Sequence, residues 1–215
     1  MNSKLISRVT GVAGITLLAL LASAGLRAAD DGVPSAQEMI KNSFRDQGQA
    51  KMSWLDQDLA QKACSASTPP APEVVTRIQE QAMADIKWPS DGKYLGNWES
   101  GEKIAQSGRG MTWRDDADGA NGGSCYNCHQ LSKEEISYGT IGPSLYNYGK
   151  LRGVADPASS ASEPIVKYTW GKIYNAKAYN ACSDMPRLGH AGVLTEKQIR
   201  DVMALLLDPK SPINQ

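Results

Sequence analysis

The sequence predicts an all-α fold, and three observations carry that reading. Two capping boxes, Ser35-Ala36-Gln37-Glu38 and Thr195-Glu196-Lys197-Gln198, each stand at the head of an apolar run. Where apolar residues are periodic, the period is helical: Val74, Val75, Ile78, Ala82 and Ile86 share one face, as do Ile199, Val202, Met203 and Leu206. No segment alternates in the manner of a strand, and no internal repeat stands out.

The elements follow in chain order. From Ser35 a helical pattern runs through Met39, Ile40 and Phe44 and on through Met52, Leu55 and Leu59, with Gly48 weakening its middle and Cys64 near its end. Pro69-Pro70-Ala71-Pro72 breaks it. A second helix spans Glu73 to about Lys87 and stops at Trp88-Pro89-Ser90-Asp91-Gly92. Trp98 to Ser107 reads as a short helix, and Gly108 to Ser124 as a polar, Gly-rich loop. A helical turn is expected around Cys125 to Leu131, then a rigid turn at Ile141-Gly142-Pro143-Ser144-Leu145. Pro164 to Ala176 reads as a helix carrying Trp170 and Tyr174. The last helix starts at the Thr195 box and ends before Pro209.

The N-terminus reads as a secretory leader, Met1 to Ala29. Lys4 and Arg8 give a positive start, Val9 to Ala24 is almost wholly apolar or small, and cleavage is expected near Ala28 or Ala29. The apolar stretch is shorter than the roughly 20 residues of a membrane span, so no stable membrane insertion is expected after processing. The precursor holds 23 basic and 23 acidic residues; removing the leader takes Lys4, Arg8 and Arg27 and no acid, which leaves a net charge of −3. That balance gives no case for nucleic acid and no strong steering field.

Cys125-Tyr126-Asn127-Cys128-His129 carries the chemistry. Cys-x-x-Cys-His is the attachment site of a c-type haem: each thiol adds to a porphyrin vinyl group, and the adjacent histidine supplies an axial nitrogen. A zinc site needs a second close ligand pair, and Cys64 and Cys182 are isolated. A thioredoxin-like pair follows a strand, which Gly122-Gly123-Ser124 does not resemble. Bacterial c-type haem is attached after translocation, so motif and leader together point to the periplasm.

Cys64 and Cys182 remain. In an oxidising compartment they most simply pair, closing a long loop at about 4 kcal/mol in the chain-entropy model. Two unpaired buried thiols, or Cys182 as an iron ligand, are the alternatives. For the sixth iron ligand the candidates are Met111, Met185, His190 and Met203. Met203 lies on the apolar face of the last helix and Met111 in the polar loop. Met185 is preferred, because Pro186 biases it toward an extended loop that can present a thioether. The second ring nitrogen of His129 needs an acceptor, and a carbonyl of the Gly142-Pro143 turn is well placed in sequence.

These motifs carry a resemblance. Cys125-x-x-Cys128-His129, Ile141-Gly142-Pro143-Ser144-Leu145, Met185-Pro186-Arg187-Leu188-Gly189, Leu194-Thr195-x-x-Gln198-Ile199-x-Asp201-Val202 and the ending Asp208-Pro209-x-Ser211-Pro212-Ile213-Asn214 resemble the sulfur-oxidation cytochrome SoxX, over roughly Trp98 to Asn214. The resemblance implies a class I cytochrome c-like domain with one haem c, thioethers at Cys125 and Cys128, and axial ligands His129 and Met185. It implies a periplasmic heterodimer with a SoxA-like cytochrome, which holds the catalytic haem. That complex couples thiosulfate to a cysteine of a SoxY-type carrier. This chain would be its non-catalytic, electron-accepting subunit, passing electrons to a soluble cytochrome c.

Three segments are therefore expected: leader 1–29, helical extension 30–93 and cytochrome c domain 94–215. The family's shorter members lack such an extension, and this chain looks more like a longer variety. The other functional class is a free-standing class I cytochrome c carrier, or the cytochrome subunit of another periplasmic dehydrogenase.

Overall fold

The computed structural model describes residues 35–215. The expected leader, Met1 to Ala29, and its cleavage point lie outside the described residues. The described chain is all-α: seven helices and four short 3-10 turns, with one isolated bridge between Gln47 and Ala50 as the strand-like pairing among the described residues. Met1–Ser43 and Phe44–Gln215 form separate units. Of the first, α1 (Ala36–Ser43) is described, and it is capped as its sequence dictates. The Glu38 amide donates to Ser35 Oγ at 3.3 Å, and the Ser35 amide donates to Glu38 Oε2 at 2.8 Å.

The helical pattern does not continue from Ser43 to Cys64, which corrects the single long helix expected there. Gly48 has φ +54° in the turn that closes the Gln47–Ala50 bridge. That left-handed conformation suits glycine and ends a helix. The site is also closed to a side chain, because a Cβ on Gly48 would meet the Trp113 carbonyl oxygen at 2.3 Å. A 3-10 turn follows at Met52–Leu55, and α2 (Leu59–Cys64) starts afresh with its own cap. Asp58 Oδ1 accepts the Gln61 amide at 2.8 Å, and Gln61 Oε1 accepts the Asp58 amide at 2.9 Å. Asp58-x-x-Gln61 is thus a third capping box.

Helix α3 (Pro72–Ala84) opens on a proline, which loses nothing there because a first-turn amide has no helical acceptor. Its inner face buries Ile78 and Ala82, and Ile86 follows just beyond. Ile78 meets Ala60 of α2 and Ala181 in a small cluster, with Ala63, Val74 and Val75 packed against it. Ala82 and Ile86 join the main core, which α4 (Trp98–Gln106) and α7 (Glu196–Leu207) also build.

Helices α4 and α7 cross closely because Gly101 lacks a side chain. A Cβ there would lie 2.1 Å from the Asp201 carbonyl oxygen. Just before α4, the buried Asp201 Oδ1 accepts the Asn97 amide at 2.8 Å, and the Gly96 amide donates to the Arg200 carbonyl at 2.8 Å. Met203, Leu205 and Leu207 are fully buried, each worth about 1.5–3 kcal/mol relative to exposure. Arg200 grips Asp91 with two bonds, at 2.8 and 2.9 Å, and this hydrogen bonding holds the Asp91 carboxyl at about 2.

Helices α5 (Tyr148–Leu151) and α6 (Glu163–Tyr174) close the bundle, and α6 runs into a 3-10 turn at Ala176–Ala178. Trp170 of α6 is fully buried, donates its indole N–H to the Lys87 carbonyl at 2.9 Å and stacks edge-on with Tyr94. The chain then caps α7 from beyond its end. Ser211 Oγ donates to the Leu205 carbonyl at 2.6 Å. Asn214 Nδ2 donates to the Leu206 and Asp208 carbonyls, both at 3.0 Å, while its Oδ1 accepts the Gly149 amide at 2.9 Å. Carbonyls left without helical partners are thereby satisfied, and α7 is joined to α5.

Candidate functional site

Cys125–Asn127 forms a 3-10 turn entered from Ser124, whose φ is +52°. The Cys128 and His129 amides both donate to the Cys125 carbonyl, at 3.1 and 2.9 Å. One helical turn therefore brings Cys125, Cys128 and His129 to the same side of the backbone. The turn does not extend over Gln130 and Leu131 as expected. Those residues leave it, and Leu131 drops into the main core.

Two stretches of backbone hold this turn. Upstream, the Gly122, Gly123 and Ser124 amides donate to the carbonyls of Arg109, Ile104 and Ser107, at 2.8, 2.8 and 2.9 Å. Downstream, residues 139–145 run back beside the motif. The Gly139, Gly142 and Leu145 amides donate to the carbonyls of Tyr126, Cys128 and Gln130, at 2.9, 2.8 and 2.7 Å. This return path sets the imidazole. His129 Nδ1 lies 2.7 Å from the Pro143 carbonyl oxygen. A carbonyl only accepts, so Nδ1 carries a proton, and in the neutral ring the lone pair is on Nε2. Gly142 presses on the same ring, since a Cβ there would come within 2.1 Å of His129 Cε1. The Pro143 acceptor was legible in the sequence. The contact from Gly142 was missed, although a glycine beside the rigid turn is its signal.

The two motif cysteines are unbonded. Burial pushes the Cys125 thiol up to about 11. A thiol so raised stays protonated at neutral pH, the opposite of the depressed value that makes a Cys-x-x-Cys pair a redox catalyst. Cys125 packs against the main core, as does Met185, which is half-buried. Tyr126, between the cysteines, is buried, and burial together with the charge of Glu102 pushes its phenol up to about 12.

Cys64 and Cys182 are joined by a disulfide, Cα atoms 5.4 Å apart, closing a sequence separation of 118 residues. With both sulfurs engaged, neither can complete a zinc site, and Cys182 is not a ligand for iron. The other sixth-ligand candidates have places of their own. Met203 is fully buried in the core. Met111 has φ +64°, and its sulfur accepts from Asn121 Nδ2 at 3.5 Å. His190 Nδ1 lies 3.5 Å from Asp85 Oδ2.

A cavity of about 190 Å³ lies between α2, α3 and the segment after Met185, with Asp58, Asp85, Lys177, Arg187 and His190 in its wall. Arg187 Nη1 lies 2.6 Å from Asp58 Oδ2. Partial burial pushes the Asp58 carboxyl up, but the Gln61 amide and the Arg187 guanidinium outweigh it and hold the group below its ordinary value. Sequence reading did not pick out this ion pair, because residues so far apart carry no local pattern.

The residues present fit the attachment half of a c-type haem on two counts: the thiols and imidazole share one turn, and His129 Nδ1 is engaged by the Pro143 carbonyl, which leaves Nε2 as the ring nitrogen for a metal. Cys125 and Met185 each pack against the main core.

No family model matches the chain. It is 35% identical over 217 residues to the "Uncharacterized lipoprotein" of Aquifex aeolicus (strain VF5), an alignment that takes in 94% of this chain and 99% of that protein. Coverage that complete includes most of the N-terminal extension as well as the Cys-x-x-Cys-His region. The chain therefore belongs to one family with the Aquifex aeolicus lipoprotein.

Proposed function

We propose that this chain is an exported mono-haem c-type cytochrome, serving as the electron-accepting subunit of a SoxXA-type complex. The observation that carries the haem reading is the 2.7 Å contact between His129 Nδ1 and the Pro143 carbonyl, made by a histidine directly after Cys125-x-x-Cys128. Metal-bound histidines almost always donate their second N–H in this way, which fixes the ring and raises its basicity.

A haem held by thioethers to Cys125 and Cys128, with His129 and Met185 on the iron, would supply a ferric–ferrous couple for one-electron transfer. The chain's own residues tune that couple. Pro143 keeps a proton on Nδ1, and Gly142, having no side chain, lets the backbone pass close to the ring. A Met/His ligand pair gives a higher potential than two histidines. The apolar core against Cys125 and Met185 excludes water and acts in the same direction, by disfavouring the more highly charged state.

Export is supported by the leader-like N-terminus and is compatible with the lipoprotein name of the Aquifex aeolicus relative. Among the described residues no helix is long and apolar enough to cross a membrane. The SoxA-like partner, the SoxY-type carrier and the downstream cytochrome c rest on the sequence resemblance, most of all on Met185-Pro186 and the Asp208-to-Asn214 ending.

Purification from the periplasm tests both parts. The protein should be red, and its haem should resist extraction into acidified acetone; colourless or extractable material defeats the haem reading. Co-elution with a second haem protein is expected for the complex. A solitary monomer, in a cell that makes a SoxA-like protein, would defeat that part alone.

A further inference from the structure

The segment that carries Met185 is fastened on both sides to the α2–α3 region. Before it, Cys182 is bonded to Cys64 at the end of α2, and Ala181 packs with Ala60 and Ile78. After it, Arg187 pairs with Asp58, the capping residue of α2, at 2.6 Å, and His190 faces Asp85, just beyond α3, at 3.5 Å. Between these ties the backbone makes only turn-local bonds. The Ser183 amide donates to the Asn180 carbonyl at 3.0 Å and the Met185 amide to Ser183 Oγ at 3.3 Å, while Pro186 has no amide hydrogen to give. Among the described residues, no hydrogen bond runs from residues 183–186 to a helix.

A loop with so few bonds of its own opens easily unless its ends are pinned. A side chain on such a loop holds its target only in the fraction of molecules where the loop is closed. We propose that Cys64 and Asp58 are positioning residues for Met185. The disulfide and the ion pair, one on each side, close the loop and present the thioether. The inference rests on the reading of Met185 as an iron ligand. It gives the N-terminal extension a task inside the chain. Asp85 is the weakest of the three ties, because the Gly189 and His190 amides already donate to the Tyr174 carbonyl of α6, at 3.2 and 3.0 Å.

The test uses the haem-loaded protein and two variants, the Cys64→Ser/Cys182→Ser double substitution and Asp58→Asn. Asparagine keeps the helix cap of α2 and removes only the charge. Three readouts apply: the pH at which the weak far-red band of sulfur-ligated ferric haem disappears, the rate of carbon monoxide binding to reduced protein, and amide hydrogen exchange over residues 183–187.

The double variant is expected to keep both thioethers. Its band should vanish at lower pH, its loop should exchange faster, and carbon monoxide should bind about tenfold faster, a modest part of what closing so long a loop can contribute. Asp58→Asn should change the same readouts in the same direction, by less. Wild-type values for band, rate and exchange in both variants overturn the proposal, as does a band that survives Met185→Ala. Should the double variant not fold, Asp58→Asn decides alone. Should the wild type carry no haem, the haem reading fails and exchange decides this one: faster exchange in the variants retains the pinned loop, and unchanged exchange removes it.

Discussion

The Cys125–His129 turn and the Met185 segment are fixed in opposite ways. The first is held by neighbours. Backbone bonds from residues 122–124 and from the returning stretch 139–145 surround it, and the Pro143 carbonyl sets the imidazole from 14 residues away. The second makes almost no bonds of its own between residues 183 and 186; Cys64 and Asp58, more than a hundred positions earlier, tie it on either side, and the Gly189 and His190 amides hold the chain beyond it to the Tyr174 carbonyl. If the two flank one iron, one ligand is prescribed by local sequence and the other by long-range closure. The local ligand should then be hard to dislodge and the distant one easy.

The sharpest break in that contrast is Met185→Ala. For the proposed cytochrome it should abolish the far-red band, lower the potential and open the reduced iron to carbon monoxide, while both thioethers stay intact. Visible spectra and a redox titration read this directly, and an unchanged spectrum would transfer the role to another side chain. On the local side, Gly142→Ala forces a Cβ to within 2.1 Å of His129 Cε1. The ring or the turn must give way, at a cost of about 1–3 kcal/mol, measured as a lowered denaturant midpoint.

Asn214→Ala probes the scaffold beneath both regions. It strands the buried Gly149 amide and removes the side-chain bond to the Leu206 carbonyl, while the Asp208 carbonyl keeps the Ser211 amide. The expected loss is about 1–3 kcal/mol, with little change in the spectrum. The smallest effect is at Asp91, whose carboxyl is held at about 2 by hydrogen bonds from Arg200, against an ordinary value of 3.8. A depressed folded value favours the native state above 3.8, and that contribution disappears as pH falls from there through about 2. Asp91→Asn should flatten this part of the acid-unfolding curve by lowering stability slightly at neutral pH and leaving it unchanged below about 2; the loss is small because the pair is exposed.

Legibility in the sequence follows the same division. The caps of α1 and α7, the buried face of α3 and the start of α4 are all local patterns, and each was readable. So was the Pro143 acceptor, since a proline turn shortly after a histidine needs only a few residues of context. The break at Gly48 was not. Its apolar spacing imitates a helix, and only the approach of Trp113 reveals why the chain turns there. Leu131 reads as the end of a helical turn, but burial draws it into the core instead. Asp58–Arg187 and Asp85–His190 left no periodic trace, because ion pairs between distant loops have no spacing rule. Asn214 looked like part of a family ending, and its work as a remote cap became visible only once α5 and α7 lay side by side.

The late closure of α7 has a consequence for how the chain is made. Gly101 can seat against Asp201 only after the last helix exists, and that helix is finished by Ser211 and Asn214. A polypeptide emerging N-terminus first, from a ribosome or a translocation channel, therefore presents Cys125 and Cys128 well before the core that buries Cys125 can assemble. For the proposed cytochrome, that interval leaves both sulfurs open to haem attachment. It shuts once residues 196–214 have arrived to complete and cap α7.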